Sequence, residues 1–469
     1  MSAVHSPISA DGAANRECSR RVRRPRQLVI AGRVLARAAS ALLIPMIGTG
    51  TETRAGRRTV GRSSTLTLLY AARAARGFAD GFAAIILPVY LIELAFTPFQ
   101  VGFIATAALL GTAVMTLGVG YLASRHDLRK LLLVSALLMI ATGVAFASVA
   151  SGKVALLPLI AAVAFAGTAN PSSGDIGIFV PLEHAVLARD VTDSGRTRVF
   201  ARYSLVGGLS TAAGALGATV PNLLVATGAG RIAALQAMFY LYGVLGLVAL
   251  ALYRRLPQAQ NRTADEQYPE PALGPSRGIV YRLAALFSLD AFAGGFAVQS
   301  LVALWLFERF DMSLGAASVF FFWSNMLAAF SYPVAARLSK RCGLVNTMVF
   351  THIPSSVCLI VAAFLPDLTA VLVLLLIRAA LSQMDVPTRT SYVMAVVTPA
   401  ERPAAASVTA VPRSLASSIS PTIAGALLST AFSGLPLVFC GALKIVYDIS
   451  LLLSFRQLKP PEERNESQA

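Results

Sequence analysis

Twelve apolar segments follow one another between residues 66 and 455 of this chain, separated mostly by short polar connections. Each is about as long as an α-helix must be to cross the hydrocarbon core of a bilayer, roughly twenty residues. Lipid offers no partners to backbone groups, so such segments fold as helices. The chain is therefore predicted to be an all-α integral membrane protein with twelve transmembrane helices. The predicted spans are 66–94, 99–122, 131–150, 154–186, 199–225, 232–254, 281–307, 313–335, 344–365, 368–397, 403–430 and 435–455.

The composition agrees with a protein that is surrounded by lipid. Hydrophobic residues make up 56% of the 469 residues and charged residues only 13%, about half the charged share of a soluble domain. The net charge of +17 would indicate nucleic-acid binding in a soluble protein. Here it is better explained by basic residues that hold the topology. The expected surroundings are the bilayer, without nucleic acid. The four cysteines and four histidines are scattered, so neither metal nor another cofactor is expected.

The basic residues alternate between the two ends of the predicted spans. Connections after even-numbered spans carry cationic clusters, whereas the opposite connections carry single cations. This asymmetry predicts an inner (cell) membrane protein with both termini in the cytoplasm. The clusters are Arg125, Arg129 and Lys130; Arg189, Arg196 and Arg198; and Arg337, Lys340 and Arg341. The single cations are Lys153, Arg231 and Arg309.

Two polar regions divide the chain. Residues 1–62 hold twelve arginines against three acids, which predicts either a disordered basic cytoplasmic tail or a start codon placed too far upstream. The Pro-rich segment 255–280 is typical of a flexible linker. The predicted organisation is a basic extension, a six-helix bundle, a cytoplasmic linker, a second six-helix bundle and a cytoplasmic tail. Their ranges are 1–63, 64–254, 255–280, 281–456 and 457–469.

The two predicted bundles resemble each other in sequence. Gly81-Phe82-Ala83 in the first span is matched by Gly295-Phe296-Ala297 in the seventh, and Gly214-Ala215-Leu216 in the fifth by Gly425-Ala426-Leu427 in the eleventh. Matches that keep their order along the chain indicate an internal duplication, which is a recurring plan among transporters. Spans four and ten are longer than a bilayer requires and contain Pro, Gly and charge near their cytoplasmic ends, so they are expected to project into the cytoplasm or to bend there.

The connection after the second span carries the most specific motif. Its sequence, Gly120-Tyr-Leu-Ala-Ser-Arg125-His-Asp-Leu-Arg129-Lys130, resembles the signature loop Gly-x-Leu-x-Asp-Arg-x-Gly-Arg-Arg of the major facilitator superfamily. Ser124 and Asp127 depart from that pattern. In the second half Arg341 and Gly343 match it, while Lys340 replaces the acid. The resemblance extends over roughly residues 66–458.

This resemblance implies a fold of two pseudo-symmetric six-helix bundles and a monomeric secondary transporter that moves a small solute by alternating access. The protein is then not an enzyme. The signature loop implies a latch between the bundles, because a glycine allows helices to approach and cations form charge-assisted bonds. The latch candidates are Gly120, Arg125, Arg129, Lys130, Arg341 and Gly343.

Ionisable residues inside spans are costly in lipid and are candidates for function. The resemblance places spans one, four, seven and ten around the central cavity. Arg378 and Asp290 are predicted to line it, Arg378 as a substrate anchor or a gating residue. Arg413, which follows Pro412, and Gln383 complete the substrate or proton pathway candidates. Near the cytoplasmic ends, Asp80, Asp175 and Asp385 are predicted to form a gate. Lys444 and Asp448, four residues apart in span twelve, are predicted to pair structurally.

Several questions remain open from the residues alone. A proton is expected to bind Asp290 or Asp385 if transport is proton-coupled, and uniport is the alternative. The mid-depth cations favour a solute with an anionic group. Efflux is favoured over the alternative of uptake of an organic anion or other metabolite. A membrane-embedded enzyme and a non-transporting sensor are less favoured. The chain has no phosphate-binding loop of the Gly-x-x-x-x-Gly-Lys-Ser/Thr type for ATP.

Overall fold

A computed structural model describes residues 56–123, 126–149, 156–172, 177–190, 193–257, 273–398 and 401–455. Most of the basic N-terminal extension, Arg125, Asp175 and the predicted tail lie outside the described residues. The described chain is helical. Its sixteen helices are α1 (Gly56–Glu93), α2 (Pro98–Ala123), α3 (Leu128–Ala147), α4 (Leu157–Ala166), α5 (Phe179–Asp190), α6 (Asp193–Gly217), α7 (Val220–Ala226), α8 (Arg231–Arg254), α9 (Arg277–Gly295), α10 (Gln299–Phe310), α11 (Leu314–Cys342), α12 (Leu344–Phe364), α13 (Leu368–Ser382), α14 (Asp385–Val396), α15 (Arg402–Leu428) and α16 (Leu435–Phe455).

These helices form twelve crossings, which confirms the predicted number. Eight crossings are single helices, and four consist of two helices each: span 4 (α4 and α5), span 5 (α6 and α7), span 7 (α9 and α10) and span 10 (α13 and α14). Within the described residues, ten segments are long and apolar enough to cross a membrane. The two spans outside this count are spans 4 and 11. Span 4 is divided into two short helices, and span 11 (α15) is 27 residues long but contains Arg413 and several serines.

The breaks within spans have local causes. Span 10 is interrupted between Ser382 and Asp385, just before Pro387, whose ring nitrogen cannot donate the helical hydrogen bond to Gln383. Span 7 is interrupted after the pair Gly294-Gly295, where α9 ends. Spans four and ten are therefore bent, but their breaks lie within the spans and not near the cytoplasmic ends, where the bends were expected. The break in span 7 was not predicted.

Equivalent helices pack in equivalent ways in the two halves. Span 3 packs on span 6 and span 9 on span 12; between the halves, span 2 packs on span 11 and span 5 on span 8. Gly81 allows span 1 to approach span 5, since a Cβ there would overlap the backbone carbonyl oxygen of Thr211. Gly295 does the same between spans 7 and 11, where a Cβ would lie 2.6 Å from the carbonyl oxygen of Ser417. The matched glycines of the duplicated sequence thus make the same helix–helix contact.

The halves are joined tightly at one face of the bundle. We call the face that holds the ends of the described spans, Ser64 and Phe455, the terminal face, and the other the far face. Near the far face, Gly102 of span 2 lies against Gly425 of span 11, so closely that neither position has room for a Cβ. The Thr422 hydroxyl donates to Thr106 Oγ1 over 2.8 Å and its backbone N–H over 3.0 Å. The far face is therefore closed between spans 2 and 11.

At the terminal face, polar groups bind segments within each half. Asp127 caps the start of α3 by accepting a hydrogen bond from the Arg129 backbone N–H at 3.0 Å. This explains an acid at the position where the resembled motif has glycine. The Arg129 guanidinium donates to the backbone carbonyl of Arg254, at the end of span 6. In the second half, the Glu401 carboxylate accepts hydrogen bonds from Gly274 and Ser276.

Candidate functional site

A cavity of about 540 Å³ lies between the two halves at mid-depth. The first half contributes residues of spans 2 and 4, and the second half residues of spans 7 to 12. Hydroxyl and amide side chains are frequent on its wall, among them Thr112, Ser324, Asn325, Gln383 and Ser417. The Ser300 backbone N–H in span 7 donates to the Pro171 carbonyl oxygen in span 4 over 3.1 Å, so the breaks of these two spans meet beside the cavity.

Asp290 is the centre of a buried ion network in the second half. The residue is only 3% exposed. Lys444 Nζ of span 12 lies 2.6 Å from Asp290 Oδ1, and Arg389 Nη1 of span 10 lies 3.2 Å from Oδ2. Arg389 Nη1 also lies 2.9 Å from Asp385 Oδ2. A carboxylate that is shared by two cations satisfies the requirement that buried charges be paired.

His352 of span 9 extends this network towards Asp448 of span 12. Its Nδ1 lies 3.0 Å from Asp448 Oδ1, and its Nε2 lies 3.2 Å from Lys444 Nζ. An ammonium group can only donate, so Nε2 accepts from Lys444 and Nδ1 carries the proton donated to Asp448. This geometry assigns a neutral imidazole to His352. The distance of 3.8 Å between His352 Nε2 and Asp290 Oδ1 is too long for a hydrogen bond.

Two further cations lie on the cavity wall outside these ion pairs. Arg378 is in α13, one turn before the break in span 10, and Arg413 is in α15. No carboxylate of the described residues comes within ion-pair distance of either guanidinium. The Arg413 Nε atom is buried and lacks a hydrogen-bond partner in the described part of the chain. Nearby Arg389 repels it, and Asp290 and Asp385 attract it less strongly.

The first half has its own buried ion pair. Arg76 of span 1 contacts Glu183 of span 4, which is fully buried. The Tyr203 and Tyr253 hydroxyls also donate to the Glu183 carboxylate, Tyr253 over 2.6 Å. The Arg76 guanidinium lies 4.2 Å from the ring centroid of Phe179, within the range of a cation–π contact. This pair fastens span 1 to span 4, and its residues do not line the central cavity.

The structure brings some of the predicted residues together. Asp290, Arg378, Arg413 and Gln383 all line the cavity, as the pathway prediction requires. Asp385 belongs to the ion network. Asp80 lies apart, about midway along α1, beside a small cavity of about 20 Å³ that Arg73 and Tyr242 also line. The gating role of Asp80 and Asp385 stays a prediction, and Asp175 lies outside the described residues.

The latch also stays a prediction. Arg129 bonds within its own half, and Lys130 and Arg341 are exposed. Gly120 lies in the last turn of α2, and Gly343 ends α11 with a φ of 84°, a backbone conformation that favours glycine. Arg125 is outside the described residues. The expected pairing of Lys444 with Asp448 is replaced by separate partners, because Asp290 and His352 from other spans lie closer to Lys444.

Sequence reasoning missed Arg389, His352, Arg76 and Glu183. Arg389 lies in the last third of span 10, towards a span end, where cations are common and uninformative. The repeat contained a usable signal for Arg76. It lies five residues before Gly81, as Asp290 lies five before Gly295, so a cation in the first half stands at the position of the carboxylate in the second. Aligning the halves residue by residue would have identified Arg76.

Two pseudo-symmetric six-helix bundles around a polar cavity define a class, the secondary transporters. The family model described as Major Facilitator Superfamily matches residues 69–327 and 283–469. The chain therefore belongs to the Major Facilitator Superfamily.

The relatives support this assignment at the level of the fold. The chain is 21% identical over 427 residues to YJR124C, an uncharacterized membrane protein of Saccharomyces cerevisiae, covering 84% of this chain and 94% of that one. A bacterial homolog of the human lysosomal transporter Spinster, inward-facing and unoccupied, is 17% identical with a TM-score of 0.61, covering 84% and 95%. The xylose transporter XylE of E. coli, in an inward open conformation, is 14% identical with a TM-score of 0.64, covering 82% and 95%.

Proposed function

We propose that this secondary transporter carries a small solute by alternating access and that a proton bound at His352 accompanies it. The observation that carries the proposal is the position of His352 between Lys444 and Asp448. Histidine is the side chain whose charge changes most readily near neutral pH. Here it is buried, 2% exposed, lines the cavity itself and accepts a hydrogen bond from Lys444, which also lines the cavity.

A proton on His352 Nε2 would reorganise the network. The hydrogen bond from Lys444 would be lost, and two positive charges would face each other at 3.2 Å. Their repulsion is on the order of 5 kcal/mol at an effective dielectric constant of about 20. Lys444 would then leave the imidazolium, which has Asp290 Oδ1 as its nearest alternative partner at 3.8 Å. Binding of a proton at His352 thereby presents the Lys444 ammonium to the cavity.

The predictions from sequence placed the proton on Asp290 or Asp385. Asp290 already binds two cations and Asp385 binds Arg389, so a proton on either carboxylate would abandon an existing ion pair. A proton on His352 displaces Lys444 from both His352 and Asp290, but the new imidazolium takes the place of Lys444 beside Asp290, so the carboxylate keeps two cationic partners. We therefore assign the coupling proton to His352 and treat Asp290 as the group that receives the imidazolium.

The orientation of the cycle follows from the charge asymmetry of the connections. With the basic terminal face in the cytoplasm of a cell membrane, the closed contact between spans 2 and 11 faces outward. The protein is then in the conformation in which its cavity exchanges solute with the cytoplasm. Efflux and uptake use the same cycle in opposite senses, and efflux remains the prediction made from sequence.

The experiment uses purified full-length protein in liposomes. Solutes that raise the melting temperature are first selected from sugars, sugar acids, nucleosides and hydrophobic cations. Each is then tested for counterflow and for accumulation driven by a pH gradient. We expect both activities in the wild type. His352→Gln keeps hydrogen-bonding capacity without binding a proton, so it should retain counterflow and lose the accumulation.

His126→Gln is the matched control, because His126 is exposed at the terminal face. It should behave like the wild type in both assays. If His352→Gln shows undiminished pH-driven accumulation, the coupling proton does not bind at His352. Absence of counterflow for every stabilising solute contradicts transport itself.

A further inference from the structure

The charges on the cavity wall indicate the chemistry of the solute, an inference that rests on the transport function proposed above. Of the described lining residues, three are permanent cations, Arg378, Arg413 and Lys444, and one is a carboxylate, Asp290. Lys444 binds Asp290 at 2.6 Å, and Arg389 behind the wall binds it as well. The two arginines therefore have no carboxylate of the described residues within ion-pair distance, and Asp290 and Asp385 attract Arg413 only from farther away. A guanidinium in low dielectric requires a closer counter-charge.

Arg413 and Arg378 are held in place by the protein while their charges remain open to the cavity. Arg413 lies on α15, which packs closely against α9 at Gly295. Arg378 precedes the break at Gln383, and its backbone carbonyl accepts a hydrogen bond from Ser355 at 3.4 Å. The planar fork of a guanidinium matches the oxygens of a carboxylate or a phosphate group. Two such forks on one cavity are suited to an anionic solute.

Polar atoms from other spans add donors to the same wall. Asn325 Nδ2 of span 8, Ser356 Oγ of span 9 and His184 Nε2 of span 4 are buried, line the cavity and lack a hydrogen-bond partner in the described chain. Unsatisfied buried polar atoms are uncommon and need an explanation. An amide nitrogen only donates and a hydroxyl group can donate, so the missing partners include acceptor oxygens. These come from both halves, so the acceptors of the solute are spread over more than one side.

The same features disfavour other solutes. A hydrophobic cation would meet two arginines of like charge, and a neutral sugar would leave both without a counter-charge. A simple fatty acid would satisfy the arginines but leave Asn325, Ser356 and His184 without hydrogen-bond partners. The helix α10 begins at Gln299 on the wall, and the partial positive charge of a helix N-terminus adds to the preference for an anion.

We propose that the solute is a polyhydroxylated organic anion whose carboxylate or phosphate group is bound by Arg378 and Arg413. Its hydroxyl oxygens accept hydrogen bonds from Asn325 and Ser356, and one of its hydroxyl groups forms a hydrogen bond with His184 Nε2. The cavity of about 540 Å³ lies within the usual range of small-molecule sites. Sugar acids and sugar phosphates share this chemistry, and the experiment separates them.

Binding is tested by thermal shift on the purified full-length protein with five probes. Gluconate and glucose 6-phosphate represent the two anion classes, glucose the neutral analogue, hexanoate an anion without hydroxyl groups, and tetraphenylphosphonium a hydrophobic cation. We expect one of the first two to bind at least roughly tenfold more tightly than the last three. Glucose and tetraphenylphosphonium offer the arginines no anionic group, and hexanoate offers Asn325 and Ser356 no hydroxyl oxygen. Equal binding of glucose, or tighter binding of tetraphenylphosphonium, overturns the proposal.

Arg378→Gln and Arg413→Gln should each raise the Kd of the bound anion by roughly ten- to hundredfold. Arg378→Lys and Arg413→Lys should recover part of the affinity, because they keep the charge without the fork. Arg282→Ala, which removes an exposed arginine of α9, should bind like the wild type. If a Gln variant does not fold, the Kd of the corresponding Lys variant is measured instead, and it should still be higher than that of the wild type. Wild-type affinity in the variants of both arginines contradicts the assignment.

The two proposals fail in different ways. Counterflow and pH-driven accumulation of a neutral sugar would refute the anionic solute and leave proton-coupled transport intact. Specific binding of gluconate or glucose 6-phosphate without counterflow would support the anion site and refute transport.

Discussion

Glu401 is a single carboxylate that binds two segments far apart in the chain. It accepts hydrogen bonds from Thr398 in its own loop and from Ser276 at the start of span 7, each over 2.7 Å. These bonds, from Thr398 first and then Ser276 and the nearby backbone N–H groups, lower the pKa of Glu401 from the ordinary 4.5 to about 2. Glu401 therefore holds the linker between the halves to the loop between spans 10 and 11.

This lowered pKa gives a testable dependence of stability on pH. Because the folded pKa is below the ordinary value, the contribution of Glu401 is complete above pH 4.5 and is lost as the pH falls towards 2. We expect Glu401→Gln to lower the melting temperature of the detergent-solubilised protein near neutral pH. The difference from the wild type should shrink progressively below pH 4.5.

The control for this prediction is Glu93→Gln, which removes one partner of the surface pair with Arg231. An exposed pair contributes little, so the control should melt near the wild-type temperature throughout. A Glu401→Gln deficit that stays constant from neutral pH to pH 2 would falsify the assigned role.

At the same scale, sequence identified charges but not their partners. Asp290, Arg378 and Arg413 could be predicted because charges are rare within apolar spans, and all three line the cavity. His352 lies in an apolar span and has no neighbour in sequence that reveals its contact with Asp448, 96 residues away. Lys444 was assigned to Asp448 by helical spacing. The closer carboxylate of Asp290 lies 154 residues away in the chain and could be found only from the fold.

Among the elements, α9 depends on a close approach to α15. A Cβ at Gly295 would lie 2.6 Å from the Ser417 carbonyl oxygen and 2.7 Å from Ser420 Oγ, and backbone cannot move aside cheaply. We expect Gly295→Ala to destabilise the protein by about 1–3 kcal/mol, as overpacking usually does. The loss is measured as a lower melting temperature in detergent.

Gly278 provides the comparison in the same helix, since a Cβ there would meet nothing within 4 Å. Gly278→Ala should be neutral or stabilising by roughly 0.5–1 kcal/mol, because alanine favours a helix over glycine. Equal effects of the two substitutions would show that the contact between α9 and α15 is less constrained than the geometry indicates.

The elements also show where prediction from sequence ends. The apolar segments predicted the crossings, and Pro and Gly predicted bends in spans four and ten, because these residues act locally. The division of span 7 after Gly294-Gly295 was not predicted. Paired glycines in a transmembrane helix are equally compatible with a continuous helix that packs closely. The choice depends on span 4, whose Pro171 carbonyl oxygen binds the Ser300 N–H at the break.

For the whole molecule, the closed far face predicts a way to arrest transport. Thr106 Oγ1 and Thr422 Oγ1 are 2.8 Å apart on different halves, a separation from which two cysteines could form a disulfide. In a background with Cys342→Ser, which removes an exposed thiol, we expect oxidation of the Thr106→Cys/Thr422→Cys variant to abolish counterflow. Reduction should restore it.

Each single-cysteine variant, treated in the same way, should keep its activity and thus serves as the control. Full counterflow by a completely cross-linked double variant would mean that spans 2 and 11 do not separate during transport. The even number of spans and the duplicated bundles were predicted from sequence. The sequence could not predict which face is closed in this structure, because the inward-open and outward-open conformations of such a protein are formed by the same residues.

The neutral state of His352 has an electrical consequence for the proposed cycle. When its imidazole binds one proton, the carrier gains one positive charge, and a monovalent anion bound at the arginines cancels it. The loaded and empty carriers would then have equal net charge. The membrane voltage, which is worth about 2.3 kcal/mol per elementary charge for each 100 mV, would do no work on this step. The concentration ratios of proton and solute would alone determine in which direction the solute moves.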